Sequence, residues 1–259
     1  MRREPRENTA KGTHAEVARL LLAERGEGPI ADIPCGDGAF LHRLRSVGIE
    51  AIAVDLEDGR VGIEGGIFRE GNMNERLPFE NGELDAIVSI DGIEHIERQF
   101  DFIADCARAL RGGGRLIVST PNVSSLRSRW RWFWTGFHDK AKAPLDAAHP
   151  NPHQHISMLD FPKLAYMLER SGFRIKKIST NRIKPIAWIY APLAPLATFA
   201  ARRATKRSIL RDTPEEERQE HLERAFATIE RMSCRPVQLG EILIVEARLE
   251  TEATERRAG

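Results

Sequence analysis

Residues 30–40 read IADIPCGDGAF, a short apolar run that ends in an acidic turn containing two glycines. The run has the length and composition of a buried β-strand, and the residues after the turn return to helical spacing. Gly36 and Gly38 allow the backbone to pass close to a ligand, and the N-terminal amides of the next helix point towards the same place. The stretch therefore predicts a ligand site at the carboxyl end of a strand.

The acidic residues around this turn restrict the ligand. Asp32 precedes the turn, where a carboxylate would repel a pyrophosphate but suits a ligand that carries an amino group. A dinucleotide fingerprint aligned on Gly36 requires glycine at position 41, and the chain has Leu41. Asp55 ends the second predicted strand, where a carboxylate accepts hydrogen bonds from ribose hydroxyls. An amino-acid-bearing nucleoside with a free ribose diol fits both acids.

Outward from the turn, predicted strands alternate with predicted helices. Alternation of this kind indicates a doubly wound, mostly parallel α/β sheet with helices on both faces. The strands are predicted in the stretches PIADIP, IEAIAVDLED, ELDAIVSIDG, GRLIVSTPN, FRIKKIST and GEILIVEARLE. A segment at residues 181–239, with an apolar first half and a charged helical second half, is predicted to form an α-helical cap inserted before the last strand.

Length and charge limit the class of protein. The chain has 259 residues, 41% of them hydrophobic, which suits one α/β domain with an extension. Its formal net charge of +1 provides no overall attraction to nucleic acid. The three cysteines, Cys35, Cys106 and Cys234, are far apart, so neither a disulfide framework nor a zinc knuckle is expected, and a cytoplasmic location is predicted. The residues before Thr13 lack the apolar run of a signal peptide and are expected to form a mobile arm.

Four stretches, in order, resemble the class I S-adenosylmethionine-dependent methyltransferases, and especially the ubiquinone-biosynthesis type. They are DIPCGDG, AVDLED, GNMNERLPFENGELDAIVSIDGIEHI and LRGGGRLIVSTPN, between residues 30 and 122. The resemblance implies a seven-stranded, Rossmann-like sheet whose last strand is antiparallel, with S-adenosylmethionine over the first, second and fourth strands. It also implies that residues 30–122 are the cofactor-binding half of a single domain, residues 1–259.

By position, the resemblance assigns ten residues to the cofactor: Asp32, Pro34, Gly36, Gly38, Asp55, Leu56, Asn72, Met73, Ser89 and Asp91. Asp32, Gly36 and Gly38 would surround the methionine part of the cofactor. Asp55 would bind the ribose, while Asn72 and Met73 would border the adenine. Two of these ten residues depart from the family pattern. Pro34 replaces a glycine and lacks a backbone N–H, and Asn72 replaces an aspartate.

Three histidines are candidates for catalysis: His95, His149 and His155. A histidine with an ordinary pKa of about 6.5 suits removal of a proton from an acceptor hydroxyl. Glu94 and His95 follow the fourth strand, where an acceptor would meet the methyl group; the alternative is that this pair caps the next helix and packs under the cofactor. The spacing of His149, His153 and His155 through two prolines, with no carboxylate fixed nearby, predicts no metal site.

Two segments outside the cofactor-binding half are predicted to cover the acceptor. Residues 123–160 include the stretch SLRSRWRWFWTGF, in which arginines alternate with aromatic residues. One interpretation is that these side chains stack on single-stranded nucleic acid. The neutral total charge of the chain favours a lid whose aromatic side chains line an acceptor pocket.

The apolar stretch 186–200 is shorter than the roughly 20 residues that span a bilayer, and five cations follow it by Arg211. It fits a segment lying on an anionic membrane, and equally a buried cap helix or a homodimer contact.

Together these features predict an enzyme that moves a methyl group from S-adenosylmethionine to an acceptor. Oxygen is the favoured acceptor atom, because the quinone-type branch resembles O-methyltransferases and histidines are available as bases; carbon and nitrogen stay open. The acceptor is expected to be a small molecule, a sugar or a lipid-linked compound, with the protein in the cytoplasm or at the inner face of the membrane. The alternative is a membrane-surface binding protein that has kept the fold without turnover.

Overall fold

The computed structural model describes residues 5–60, 65–149, 151 and 154–251. Within them, the strands are β1 Ile30–Asp32, β2 Ile52–Asp55, β3 Phe68–Glu70, β4 Leu84–Ile90, β5 Leu110–Pro121, β6 Phe173–Thr180 and β7 Ile242–Leu249. The α-helices are α1 Thr13–Ala23, α2 Ala39–Arg45, α3 Gln99–Ala109, α4 Leu126–Thr135, α5 Phe161–Arg170, α6 Ala194–Asp212, α7 Glu215–Met232 and α8 Arg235–Leu239. Two 3₁₀ helices span Ile93–His95 and Pro185–Leu193.

The strands form one seven-stranded sheet in the order β3-β2-β1-β4-β5-β7-β6. Strands β1 to β5 pair in parallel, while β7 is antiparallel to both β5 and β6. This confirms the predicted mostly parallel sheet with an antiparallel last strand. The chain runs from β1 outwards to β3 and then places β4 on the other side of β1. A topological switch point, the usual ligand position in such sheets, therefore lies between β1 and β4.

Apolar side chains on both faces of the sheet account for the layered arrangement. Strands β1, β2 and β4 are buried along almost their whole length, as expected for central strands covered on both sides. On one face, Leu20 of α1 and Phe40 of α2 belong to a core with β4 and β7. On the other face, Phe102 of α3 and Phe161 of α5 belong to a larger core. These layers hold the carboxyl ends of β1, β2 and β4 at one edge of the sheet.

The predicted helical cap is present between β6 and β7 and contains the second 3₁₀ helix, α6, α7 and α8. Ala187 in the 3₁₀ helix and Leu239 in α8 form a small core with Leu126 of α4. Helix α6 has no buried residue, so the interpretation as a buried cap helix does not hold for it. Among the described residues, none of the helices has both the length and the apolar character that crossing a bilayer requires.

Helix α4 lies in the predicted lid, and its aromatic side chains are exposed. Four of them have between 47% and 70% of their surface accessible: Trp130, Trp132, Phe133 and Trp134. That these rings line an acceptor pocket stays a prediction; the residues that α4 contributes to the neighbouring cleft are Arg127 and Ser128 and not the rings. The buried residues of α4, Leu126 and Ser128, lie in its first turn, so this end of the helix is the one packed most closely against the protein.

Candidate cofactor and acceptor site

The turn after β1 depends on two glycines. Gly36 has a φ of 49° and Gly38 a φ of 79°, conformations that residues with a side chain rarely adopt. The N–H of Cys35 donates to the carbonyl oxygen of Val54 at 2.9 Å, which ties the turn to β2. A Cβ atom added at position 36 would meet nothing within 4 Å, so the backbone there borders space that a ligand can enter.

Asp32, the last residue of β1, is 1% exposed. Its Oδ2 atom has no hydrogen-bond partner within the described part of the chain. Burial raises the pKa of this carboxyl group well above its ordinary value, and the nearby Asp55 raises it further. Because an ionised carboxylate is costly to bury without a partner, this position fits a positively charged ligand group.

Asp55, at the end of β2, has a carboxylate that the backbone holds in place. Its Oδ2 atom accepts a hydrogen bond from the N–H of Gly36 at 2.8 Å, and its Oδ1 atom accepts one from the N–H of Leu56 at 2.8 Å. Leu56 itself is exposed. Each carboxylate oxygen has further lone pairs, so both can also accept hydrogen bonds from a ribose diol.

The residues predicted to border the adenine follow β3. The Oδ1 atom of Asn72 accepts a hydrogen bond from the N–H of Asn74 at 2.9 Å, and its Nδ2 atom donates to Glu75 at 3.1 Å. The Asn72 side chain is therefore engaged in a local turn, and Met73 beside it is buried. Contact of this pair with adenine stays a prediction.

Pro34 packs against a glycine that the sequence analysis did not assign to the site. The Ile33–Pro34 peptide bond is cis. A Cβ atom at Gly92 would clash with the Pro34 ring and lie 3.4 Å from the Cε atom of Met73. Gly92 therefore allows the chain after β4 to approach the turn after β1. No local signal identified it, because its role depends on a contact between residues far apart in sequence.

Asp91 lies where β4 ends, with a positive φ of 46°. Its Oδ1 atom accepts a hydrogen bond from the hydroxyl of Ser119 at 2.6 Å, and its Oδ2 atom accepts one from the hydroxyl of Thr9 at 2.5 Å. Ser89 is fully buried, and its hydroxyl has no partner among the described residues. The contact with Thr9 brings the N-terminal segment to the site, so the expectation of a mobile arm is wrong at Thr9; residues 1–4 lie outside the described ranges.

These carboxyl groups, whose oxygens accept hydrogen bonds, fit S-adenosylmethionine, the cofactor that the resemblance implies. That molecule carries a sulfonium, an amino group and a ribose diol. The carboxyl groups of Asp32 and Asp55 lie at the carboxyl ends of β1 and β2, beside the switch point of the sheet. A buried carboxyl group without a partner favours a cation over a phosphate. Asp32 would therefore hold the amino-acid part of the cofactor, and Asp55 the ribose.

Glu94, His95 and His155 come together after β4, near Asp91. Each offers one possible ligand atom, and these atoms all lie within 4.8 Å of one another. The rings of His95 and His155 meet edge to face, with centroids 4.8 Å apart. The Nδ1 atom of His95 lies 2.9 Å from the carbonyl oxygen of Gln154, an acceptor. Nδ1 therefore carries the hydrogen, and the basic lone pair of the neutral ring is on Nε2.

Burial controls the protonation of this cluster. It raises the pKa of Glu94 well above its ordinary value, and the charge of Asp91 acts in the same direction. It lowers the pKa of His155, and the nearby His95 lowers it further. Within the part of the chain that the structure describes, the Oε1 atom of Glu94 and the Nδ1 atom of His155 have no hydrogen-bond partner. The lowered pKa keeps His155 neutral at neutral pH, and a neutral imidazole can accept a proton.

The other histidines of the lid do not join this cluster. His149 is exposed, and its Nδ1 atom lies 3.0 Å from the carboxylate of Asp146; His153 lies outside the described residues. The expectation that no carboxylate is fixed near the lid histidines is wrong, because the Glu94 carboxyl group lies beside His155. One carboxylate and two imidazoles are a donor set that suits zinc and similar divalent cations. The structure thus brings together candidate ligands that the sequence analysis did not assign.

A cleft lies between the carboxyl end of β5, α4 and the second 3₁₀ helix. Its polar lining includes Ser125, Arg127, Lys140, Lys184 and Glu241. Burial alone would raise the pKa of Glu241, but hydrogen bonds from Lys184, Arg182 and Lys140 lower it to about 2. Lys140, which lines the cleft, lies close enough to His155 for its charge to lower the pKa of that histidine, so the cleft and the cluster adjoin.

A family model described as a methyltransferase domain matches residues 4–178, more than half of the chain. The chain belongs to this family. The match confirms the resemblance based on the four stretches between residues 30 and 122. The methyltransferase family and fold imply S-adenosylmethionine as the cofactor, in agreement with the carboxyl groups and the glycine turn described above.

Known proteins are similar to this chain in sequence or in fold. A probable S-adenosylmethionine-dependent methyltransferase of Mycolicibacterium smegmatis is 29% identical over 167 residues, covering 62% of this chain and 58% of the relative. A ubiquinone biosynthesis O-methyltransferase of Xylella fastidiosa is 25% identical over 165 residues, covering 60% of this chain and 65% of the relative. The chain thus spans less than two thirds of the length of either. The structure of a methyltransferase from Archaeoglobus fulgidus shares the fold, with a TM-score of 0.52, 20% identity and coverage of 91% of this chain and 92% of that chain.

Proposed function

We propose that this protein transfers the methyl group of S-adenosylmethionine to an oxygen atom of a small-molecule, sugar or lipid-linked acceptor. The observation that carries the proposal is the cluster of Glu94, His95 and His155 beside the residues assigned to the cofactor. An acceptor entering through the adjoining cleft would meet two imidazoles, and oxygen nucleophiles benefit from a base more than thioethers or amines do. The O-methyltransferase name of one relative also favours oxygen.

The residues of the site have distinct tasks in this reaction. When bound, S-adenosylmethionine supplies an electrophilic methyl group on a sulfonium. Asp32 and Asp55 hold and orient it, which matters because displacement at the methyl carbon depends on in-line positioning. His155, kept neutral by its lowered pKa, accepts the proton of the acceptor hydroxyl. The carbonyl of Gln154 fixes the orientation and tautomer of the neighbouring His95.

A divalent cation at Glu94, His95 and His155 is an alternative means of deprotonating the acceptor hydroxyl. Glu94, His95 and His155 would hold the cation, which would lower the pKa of an acceptor hydroxyl coordinated to it so that the proton could pass to water. The unpartnered Oε1 atom of Glu94 supports this alternative. Chelation separates the two mechanisms, because a histidine base needs no metal.

The second candidate function is a membrane-surface binding protein that retains the fold without turnover. The exposed aromatic side chains of α4 favour it, but the intact Asp32 and Asp55 favour cofactor binding. Calorimetry with S-adenosylmethionine distinguishes the two, because a protein that has lost its cofactor site would show no binding.

The deciding experiment supplies S-adenosylmethionine with an isotopically labelled methyl group and offers panels of phenols, sugars and lipids. Mass spectrometry of the products should find the label on oxygen in one panel. The His155→Ala variant should transfer the methyl group roughly 100-fold more slowly, while the His149→Ala variant, altered at an exposed histidine, should keep the parent's rate. Label on carbon or nitrogen would contradict the O-methyltransferase proposal. Cofactor binding without transfer to any hydroxyl in the panels would contradict it as well.

A further inference from the structure

An exposed aromatic surface lies next to the cleft. The chain contains four tryptophans, and all of them lie in α4 or in the 3₁₀ helix Pro185–Leu193. Each is between 47% and 66% exposed: Trp130, Trp132, Trp134 and Trp188. Apolar side chains concentrated in this way on a protein surface indicate a binding partner.

The two elements form one continuous surface. The ring centroids of Trp130 and Tyr190 are 6.4 Å apart, which joins α4 to the 3₁₀ helix. Ala187, Ala191 and Ala194 face the protein, where they pack in the small core around Leu126. The large side chains face outwards instead, the reverse of an ordinary amphipathic helix on a soluble domain. We define the aromatic face as Trp130, Phe133, Trp134, Trp188, Ile189 and Phe199, all of them exposed.

The segments that carry the aromatic face are rich in cations. Residues 122–138 and 181–211 contain ten Arg and Lys and no Asp or Glu, although the formal net charge of the whole chain is only +1. Within the described ranges, Arg203, Lys206 and Arg207 of α6 take part in no ion pair. Helix α7, which packs against α6, begins with three glutamates and lies outside this positive segment. Of the ten cations, Arg127, Arg182, Lys184 and Arg211 pair with acidic residues outside these two ranges, so the unpaired positive charge beside the aromatic face comes mainly from α6.

We propose that the aromatic face binds the surface of an anionic lipid bilayer. Tryptophan suits the boundary between headgroups and acyl chains, because its ring is apolar while its N–H needs a polar partner. Basic residues beside such a surface add attraction to anionic lipids. A second copy of the chain fits less well, because a twofold contact would bring two surfaces of the same charge together.

This surface also borders the route to the reactive site. Arg127 of α4 and Lys184, immediately before the second 3₁₀ helix, line the cleft beside His155. A protein bound through the aromatic face would therefore hold its cleft close to the headgroups. Delivery of a lipid-linked acceptor through the cleft rests on the proposed methyl transfer, whereas binding to the bilayer does not.

The test uses the full chain and vesicles made of equal parts of phosphatidylcholine and phosphatidylglycerol. Because every tryptophan lies on or beside the aromatic face, the emission spectrum reports on this surface. We expect co-sedimentation with these vesicles, a blue shift of tryptophan emission, and quenching by lipids brominated on their acyl chains. Pure phosphatidylcholine should bind more weakly, and high salt should reduce binding because it screens the charge.

Two variants separate the apolar and charged contributions. Phe133→Ser combined with Trp134→Ser should abolish acyl-chain quenching of the remaining tryptophans. A triple variant, Arg203→Gln, Lys206→Gln and Arg207→Gln, should weaken binding to anionic vesicles at least tenfold, since each basic residue near the surface contributes about fivefold. A matched control replaces three exposed cations of β6, Arg174, Lys176 and Lys177, by Gln and should bind as the parent does.

Thermal melting and cofactor affinity of the variants establish that they fold. The proposal is overturned if the parent fails to bind anionic vesicles at low salt, or if both variants bind as tightly as the parent. It is also overturned if ultracentrifugation shows a dimer that the Phe133→Ser and Trp134→Ser changes dissociate, because the aromatic face is then a subunit contact. Vesicle binding is measured without cofactor or acceptor, so a negative result leaves the proposed methyl transfer standing.

Discussion

Replacing Asp32 by Asn should have opposite effects on cofactor binding and on the stability of the protein without cofactor. In the ligand-free protein the Asp32 carboxyl group is buried, its Oδ2 atom has no partner among the described residues, and its pKa is raised by burial and by Asp55. Ionising it is therefore costly until a positively charged ligand group arrives. Asparagine keeps the shape of the side chain and removes the charge.

The sign of the effect on stability follows from linkage. A carboxyl group whose folded-state pKa is raised above its unfolded value of about 3.9 stabilises the folded state below that value, and this contribution is lost as the pH rises through the folded-state pKa. At neutral pH and above, the ligand-free Asp32→Asn variant should therefore be the more stable protein. Each kcal/mol regained would raise Tm by about 2–4 °C for a chain of this size.

The Asp32→Asn substitution should weaken cofactor binding, although it stabilises the ligand-free protein. A hydrogen bond to a charged group contributes about 1.5–3 kcal/mol, so the variant should bind S-adenosylmethionine about 10- to 150-fold more weakly. The affinity of the parent protein should also fall as the pH is lowered, because Asp32 must be ionised to pair with the cofactor. That pH dependence should be reduced in the Asn variant.

Calorimetry and thermal melting across the pH range check both effects. Asp85→Asn is the matched control, because Asp85 is also a buried carboxylate but accepts a hydrogen bond from Gly28 and pairs with Arg111. That variant should lose stability and keep its cofactor affinity. The reasoning about Asp32 is refuted if Asp32→Asn binds the cofactor as the parent does, or if its melting temperature falls as that of Asp85→Asn does.

Further predictions concern the rest of the site. Asp55→Ala should weaken cofactor binding by about 1.5–3 kcal/mol, because the carboxylate is assigned to the ribose diol; unchanged affinity in calorimetry would remove that assignment. His155→Ala should lower turnover roughly 100-fold with cofactor affinity nearly intact, while His149→Ala serves as the exposed control. Because the pKa of His155 is lowered, the acidic limb of the kcat profile should lie below about pH 6.5, the ordinary value for histidine. EDTA should have little effect if His155 is the base, and strong inhibition that a divalent cation reverses would instead assign a metal to Glu94, His95 and His155.

The sequence was sufficient to predict the central architecture. Apolar residues recur with a period of two in strands and of 3.6 in helices, which distinguishes the two kinds of element. Parallel strands then place their carboxyl ends at one edge of the sheet. The position of Asp32 and Asp55 after successive strands therefore follows from the sequence without knowledge of any contact. Strand β3 was missed because it has only three residues and little burial, so it carries no clear periodicity.

The parts of the site that depend on distant residues could not be predicted in this way. His155 meets His95, and Thr9 meets Asp91 across 82 positions of sequence. Hydrophobic periodicity describes which side of an element is apolar, but it carries no information on which loop packs over it. For the same reason the sequence could not exclude a carboxylate near His155, and the structure brings Glu94 there.

The direction of the aromatic residues is a further result of tertiary packing. The sequence of α4 predicts a helix rich in arginine and tryptophan, and its periodicity is compatible with a pocket lining or an exposed surface. The docking of Leu126 against Ala187 and Leu239 holds the first turn of the helix, while the rings of Trp132, Phe133 and Trp134 stay exposed. The sequence by itself thus determined the sheet and the placement of Asp32 and Asp55 at one edge of it, because these depend on local periodicity and strand polarity. The tertiary structure decided the histidine cluster and the aromatic face, because both depend on which distant segments pack together.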